Sequence, residues 1–286
     1  MSPLTPPTAS GLRAEALHLA YGDRPVVSGL DLAVPDGQIT AIVGPNACGK
    51  STLLHALARL LAPRGGSVRL NGEDIRSIPT RRLAQRLGIL PQSPVAPEGL
   101  TVKDLVTRGR SPHQTWWRQW SASDEQAVHD ALAATGTADL AERAVDELSG
   151  GQRQRAWIAM AVAQGTPVLL LDEPTTYLDL AHQIDVLDLV VDLNRTERRT
   201  VVMVLHDLNQ ACRYADHLVA LKDGEIVGEG PPRDVITASA VEHIFGLSCE
   251  VTTDPVSRTP LVIPKGRHHG TPEAVADDGQ CAPANG

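Results

Sequence analysis

The chain has 286 residues, 42% of them hydrophobic and 21% charged, the balance of a soluble globular protein long enough for one large core or two small ones. Lys and Arg number 26 against 34 Asp and Glu, and the net charge of −8 excludes a general attraction to nucleic acid or anionic lipid, so phosphate binding must be local. No apolar run approaches the ~20 residues of a membrane span, the amino terminus lacks the basic and apolar segments of a secretory signal, and four cysteines without C-x-x-C spacing indicate neither zinc nor disulfides, so a cytosolic chain with reduced thiols is expected.

Residues 1–12, rich in Pro, Ser and Thr, are expected to form a disordered lead before a folded domain over 13–265. Ala16–Gly22 and Val26–Val34 are predicted strands separated by the turn residues Gly22–Pro25. Tyr21, closing the first, is either a packing residue or a flat face for a nucleotide base. Gln38–Val43 is a short, β-branched run, and after it Gly44-Pro45-Asn46-Ala47-Cys48-Gly49-Lys50-Ser51-Thr52 matches G-x-x-x-x-G-K-[ST]. Leu53, Leu54, Leu57, Leu60 and Leu61 then share one helical face. Strand, glycine-rich loop and helix in that order form a phosphate cradle. Backbone N–H groups converge on the β-phosphate of a nucleotide such as ATP, Lys50 reaches the β- and γ-phosphates, and Ser51 is placed to ligate Mg²⁺. Cys48, beside the helix start, either fills space or carries a lowered pKa, and a Cβ at Ala47 would cost ~1 kcal/mol if φ there were positive.

Ser67–Gly72 is a predicted strand running into an Asn-Gly turn, and Arg81, Arg82 and Arg86 mark a solvated helix face. Leu87–Leu90 is a short buried strand that leaves Gln92 at its carboxyl end, where open α/β sheets place ligand-contacting residues. From about residue 93 to 165 the pattern is helical, with a capping box at Thr101–Asp104, a helix starting at Ser123 and stopping near Gly136, and a Trp116, Trp117, Trp120 cluster that is either local core or a partner surface. Ser149-Gly150-Gly151-Gln152 opens another helix with N–H groups bare of side chains, a second anion cradle. Val168–Leu171 reads as a parallel strand buried on both faces, delivering Asp172 to hold Mg²⁺ and Glu173 to orient or deprotonate a water. Thr200–Leu205 repeats the design and ends at His206, which can hydrogen-bond a γ-phosphate without a fixed charge. Val219–Val227 is a hairpin through Asp223-Gly224, Gly230-Pro231-Pro232 breaks the chain before a Ser239–Phe245 helix, and 266–286, including His268-His269, is expected to be a disordered tail.

The set Tyr21, Gly44–Thr52, Gln92, Leu148–Gln152, Asp172-Glu173, Asp179 and His206 resembles the ATP-binding-cassette (ABC) ATPases, over roughly residues 13–265. The resemblance implies an α/β fold: a P-loop NTPase, RecA-like core with a mostly parallel sheet, an amino-terminal antiparallel β-subdomain and an inserted helical subdomain. It implies that Tyr21 stacks on adenine, Gln92 senses Mg²⁺ and the permease, Asp179 lies in a loop that crosses a cassette homodimer, and His206 contacts the γ-phosphate. Two cassettes would sandwich two ATP molecules head to tail, so that Ser149–Gln152 of one closes over Gly44–Thr52 of the other. Gly44–Gly49, Arg108–His113, Pro174–Gln183 and Thr253–Pro260 look like the ATPase subunits of ferric siderophore importers. The expected partners are then an integral membrane permease and, through it, an extracytoplasmic substrate-binding protein, with no nucleic acid, and the expected place is the cytoplasmic face of the membrane. Cobalamin and haem importer ATPases share parts of these stretches, and a soluble cassette ATPase of iron–sulfur cluster assembly is the alternative from another class.

Overall fold

The computed structural model describes residues 11–114 and 120–266. Residues 1–10, 115–119 and 267–286 lie outside it, and with them Trp116, Trp117, His268, His269 and most of the expected lead and tail. Twelve strands and nine helices are described. In chain order they are β1 (Leu12–Tyr21), β2 (Arg24–Ala33), β3 (Ile39–Val43), α1 (Lys50–Leu57), β4 (Gly65–Leu70), β5 (Glu73–Asp74), α2 (Thr80–Ala84), β6 (Leu87–Leu90), α3 (Val102–Arg108), α4 (Ala122–Ala134), α5 (Gly150–Ala163), β7 (Val168–Asp172), α6 (Leu180–Glu197), β8 (Thr200–Val204), α7 (Leu208–Tyr214), β9 (His217–Lys222), β10 (Glu225–Gly230), α8 (Pro232–Val235), α9 (Ala238–Phe245), β11 (Cys249–Thr253) and β12 (Pro260–Pro264).

A six-stranded sheet in the order β10-β9-β3-β8-β7-β6 carries the fold, parallel throughout except for β10. Every residue of β3, β7 and β8 is buried, as strands covered on both faces require. Because side chains alternate, the sheet feeds two cores. Ala41, Leu169, Leu171, Val201 and Met203 face a core completed by α3, α4, α5 and α6, whereas Ile42, Leu170, Val202 and Val204 face one completed by α1 and the antiparallel sheet β2-β1-β4-β5. Each of these fully buried Leu, Ile or Val side chains contributes roughly 1.5–3 kcal/mol. The α/β class, the mostly parallel sheet, the antiparallel amino-terminal unit and the helical insertion all match expectation. β1 begins at the buried Leu12, inside the stretch expected as a lead, and the β1–β2 turn is only Gly22-Asp23, since Tyr21 already pairs with Arg24.

Helix α1 is shorter than its leucine pattern. It ends at Leu57, Leu60 is 62% exposed, and Arg59 takes φ 61. The cause is tertiary: Arg59 Nη1 donates to Ile75 O at 2.8 Å and Ile78 O at 2.6 Å, and its Nη2 to Thr80 Oγ1 at 2.8 Å, which turns the chain out of the helix. In the helical insertion Thr101 caps α3 as the sequence indicates, but α4 starts earlier, with Ser121 as N-cap in a capping box closed by Asp124. Asp124 also pairs with Arg110 Nε at 2.9 Å while Arg110 Nη1 donates to Ala163 O at 2.7 Å. Arg110 is therefore an internal tie between α3, α4 and α5, and Arg108 beside it is exposed. Trp120 is 44% exposed and Trp157 is buried in the α5 face. Beyond the Pro231-Pro232 break lies α8, and the Thr253–Pro260 stretch joins β11 to β12 in a hairpin docked on α7. There Arg213 pairs with Asp254 at 2.5 Å and holds its carboxyl far below the usual carboxylate range, and Asn209 exchanges two hydrogen bonds with Val262. Among the described residues no helix is long and apolar enough to cross a membrane.

Candidate nucleotide site

The carboxyl ends of β3, β6, β7 and β8 open onto one side of the sheet, as the parallel order dictates. At the end of β3 the chain turns through Gly44 at φ 154, where a Cβ would overlap Leu221 O and lie 2.8 Å from Cys48 Sγ. Ala47 stands at φ 62 and Gly49 at φ 107, so the loop uses left-handed backbone at a residue with a Cβ, at a cost of ~1 kcal/mol. Gly49 is the N-cap of α1, and the first N–H groups of that helix face the cleft with the positive end of its dipole. Lys50 is 5% exposed, and its Nζ folds back across the loop to donate to Gly44 O at 2.9 Å and Pro45 O at 2.7 Å. A cation is thus fixed at the centre of a ring of backbone. Burial pushes the Cys48 thiol up, against the pull of Lys50, so the loop cysteine is a protonated space-filler rather than a low-pKa thiolate.

Below the loop, Ser51 Oγ donates to Asp172 Oδ1 at 2.9 Å, and His55 Nε2 lies 3.2 Å from Asp172 Oδ2. Asp172 is 2% exposed, and burial pushes its carboxyl above the ordinary range, opposed by Ser51 and His55 and reinforced by the charge of Glu173. Glu173 takes φ 51, a left-handed conformation that rotates its side chain out of the strand direction and into the cleft. Its carboxylate accepts from Gln92 Nε2 and from Thr176 Oγ1 at 3.1 Å, and His206 Nε2 is 2.7 Å from its Oε1. Three strand ends thereby meet on one carboxylate.

The cleft has a volume of about 760 Å³ and is lined by Tyr21, Arg24, Pro25, Val26, Asn46 to Thr52, Gln92, Glu173, His206, Asp223 and Gly224. The structure therefore brings together Tyr21, the loop, Gln92, Glu173 and His206, with Gly44 and Pro45 under the lysine and Asp172 under Ser51. Tyr21 is 52% exposed at one end, a surface position rather than a core one. Ser149, Gly150, Gly151, Gln152 and Asp179 stand outside the cleft. Ser149 caps α5 in a capping box with Gln152, Asp179 caps α6, and Ser149 and Gly150 face solvent. Sequence reasoning missed Arg24, Asp223, Gly224, His55 and Thr176. Asp223-Gly224 was legible as a turn, but only the pairing of β9 beside β3 brings it over the loop, where Gly224 N donates to Cys48 O at 3.1 Å. His55 carried no signal beyond its place one turn after Ser51.

A family model described as ABC transporter matches residues 27–176. The chain is 59% identical over 258 residues to the probable siderophore transport system ATP-binding protein YusV of Bacillus subtilis, covering 90% of this chain and 94% of the relative. It is 54% identical over 256 residues to the ferric enterobactin transport ATP-binding protein FepC of Escherichia coli, covering 90% and 94%. Among solved structures, a metal-chelate-type ABC transporter in an inward-facing conformation superposes with a TM-score of 0.78 at 31% identity, over 91% of this chain and 99% of that one. The dimeric structure of the bacterial ABC transporter cassette MJ0796 does so with a TM-score of 0.68 at 26% identity, over 77% and 98%.

Proposed function

The chain belongs to the ABC transporter family, of which it is an ATP-hydrolysing subunit, and on that premise we propose that it drives ferric siderophore import through a separate integral membrane permease. The observation that carries this reading is its identity, over nine tenths of both chains, to ATP-binding proteins named for siderophore and ferric enterobactin transport. In the proposed arrangement two copies pair head to tail at the cytoplasmic face of the membrane, and a substrate-binding protein on the other side feeds the permease. The exposed Arg108 of the helical insertion belongs to the permease-facing surface.

Within the cleft, Tyr21 stacks on adenine and Lys50 exchanges its two carbonyl partners for β- and γ-phosphate oxygens. The Ser51 hydroxyl and the buried Asp172 carboxylate, 2.9 Å apart, are hard oxygen donors that would hold Mg²⁺, Ser51 directly and Asp172 through water. Such an ion would neutralise charge developing on the phosphates. Gln92, bonded to the carboxylate of Glu173, would sense Mg²⁺ and connect the permease to the site. Glu173, freed from Gln92, orients the attacking water and accepts its proton, while His206 turns a ring N–H to the γ-phosphate. Ser149–Gln152 of the second cassette would close the cleft with the Gly150 and Gly151 N–H groups, those of Ser149 and Gln152 being taken by the capping box.

Deleting the gene should abolish uptake of iron-loaded siderophore in intact cells, and the wild-type copy but not Glu173→Gln should restore it. Unimpaired uptake, with loss instead of iron–sulfur enzyme activities in iron-replete cells, would overturn siderophore import in favour of cluster assembly.

A further inference from the structure

The two glycines that open α5 have different neighbours. Gly150 is exposed, and a Cβ there would meet nothing nearer than Leu178 Cδ2 at 3.8 Å. Gly151 is buried, and a Cβ there would overlap the His182 ring, lying 2.9 Å from Nε2. Gly151 has no positive φ, so the backbone does not require glycine at this position; the imidazole does. The ring is itself pinned. Asp179 Oδ1 caps α6 by accepting the His182 backbone N–H at 3.0 Å, and it lies 2.7 Å from His182 Nδ1. A proton on Nδ1 makes that second contact a donor bond to the carboxylate, and the Cδ2 edge of the ring faces Gly151. Asp179, His182 and Gly151 therefore form a continuous contact between the first turns of α6 and α5.

We propose that His182 is a positioning residue, a strut through which Asp179 sets the position of the Ser149–Gly150 helix start. The inference rests on the paired-cassette reading above, in which Asp179 meets the partner and Ser149–Gly150 covers the partner's nucleotide. Close packing leaves no slack at Gly151, so a displacement of Asp179 moves the imidazole and the imidazole moves the start of α5. The signature glycines thus divide their work: Gly150 keeps the surface open for phosphate, and Gly151 makes room for the strut. Engagement of the partner by Asp179 is thereby passed within the same chain to the cradle that covers the partner's nucleotide.

The test is a double-mutant cycle in the full-length Glu173→Gln chain, with ATP-dependent pairing followed by light scattering and single-chain affinity for a fluorescent ATP analogue and melting temperature measured alongside. His182→Ala should weaken pairing by about 3-fold or more without changing single-chain ATP affinity, a coupling of the size neighbouring residues show. His182→Asn, whose amide can still donate to Asp179, should recover most of the loss, and Gly151→Ala should weaken pairing far less in the His182→Ala background than alone. Equal losses from Gly151→Ala in both backgrounds, pairing indifferent to His182→Ala, or a lowered melting temperature that tracks the loss in both His182 variants would overturn the strut. Failure of the parent Glu173→Gln chain to pair at saturating ATP would overturn the paired-cassette reading, and the strut with it.

Discussion

Two glycine-rich helix starts, Gly44–Thr52 and Ser149–Gln152, offer backbone N–H groups to an anion in different ways. The first bends through positive φ at Gly44, Ala47 and Gly49, folds a lysine across its own carbonyls and sits within walls supplied by the Tyr21 and Asp223 hairpins. The second has no positive φ and a regular capping box, and its Ser149 and Gly150 face solvent. Strain and enclosure mark a container, which must fix every donor around a ligand by itself. A regular helix start is cheaper in free energy and, on the paired reading, would be adequate as a lid, because its ligand would arrive already held by another loop.

The container is broken most severely at Lys50. Lys50→Ala should reduce Mg-ATP turnover by on the order of 10³-fold, the scale for loss of a group stabilising transition-state charge; wild-type hydrolysis by a chromatographically pure variant would sink the phosphate-loop assignment. Glu173→Gln should leave ATP binding intact and cut turnover by about 10²-fold or more, as for removal of a general base. That variant sharpens the comparison, since ATP should shift it from monomer toward dimer in gel filtration, and adding Ser149→Arg to obstruct the lid should abolish the shift while ATP still binds. A smaller effect is expected at the rim, where Tyr21→Ala should weaken ATP binding by ~1–3 kcal/mol, the range of base–aromatic stacking. Calorimetric titration with a parallel melting curve decides this, an unchanged affinity with a lower melting temperature showing the ring to be packing alone. The smallest effect probes the strain: Ala47→Gly should raise stability by ~1 kcal/mol in urea unfolding, by removing a left-handed Cβ, and should leave ATP affinity unaltered. A destabilised glycine variant would mean that Ala47 is not strained.

What could be read from the chain beforehand follows the range of the interactions involved. The phosphate loop, the Asp172-Glu173 strand end and the Ser149 helix start are each written in consecutive residues, because glycine, a helix cap or an apolar run acts on its immediate neighbours. The stop of α1 was not legible: the leucines continue to Leu61, and only the remote carbonyls of Ile75 and Ile78 draw Arg59 out of register. The same holds for His55, which meets Asp172 only because α1 packs beside β7, and for Arg110, which reads as a surface charge until Asp124 is folded against it. The β11–β12 hairpin depends likewise on Arg213 and Asn209, some forty to fifty residues earlier in the chain.

The Asp223-Gly224 turn has a kinetic consequence. Gly224 donates to Cys48 O, and a side chain at Gly224 would overlap Val26 O, just as one at Gly44 would overlap Leu221 O. Three segments far apart in sequence are thus wedged against one another around the mouth of the cleft, and none of them is free to swing over its contents. With no flap among the described residues, a single chain would let nucleotide enter and leave at rates set by diffusion and affinity. On the paired reading, the residence time of ATP is then a property of the partner's stay rather than of this chain.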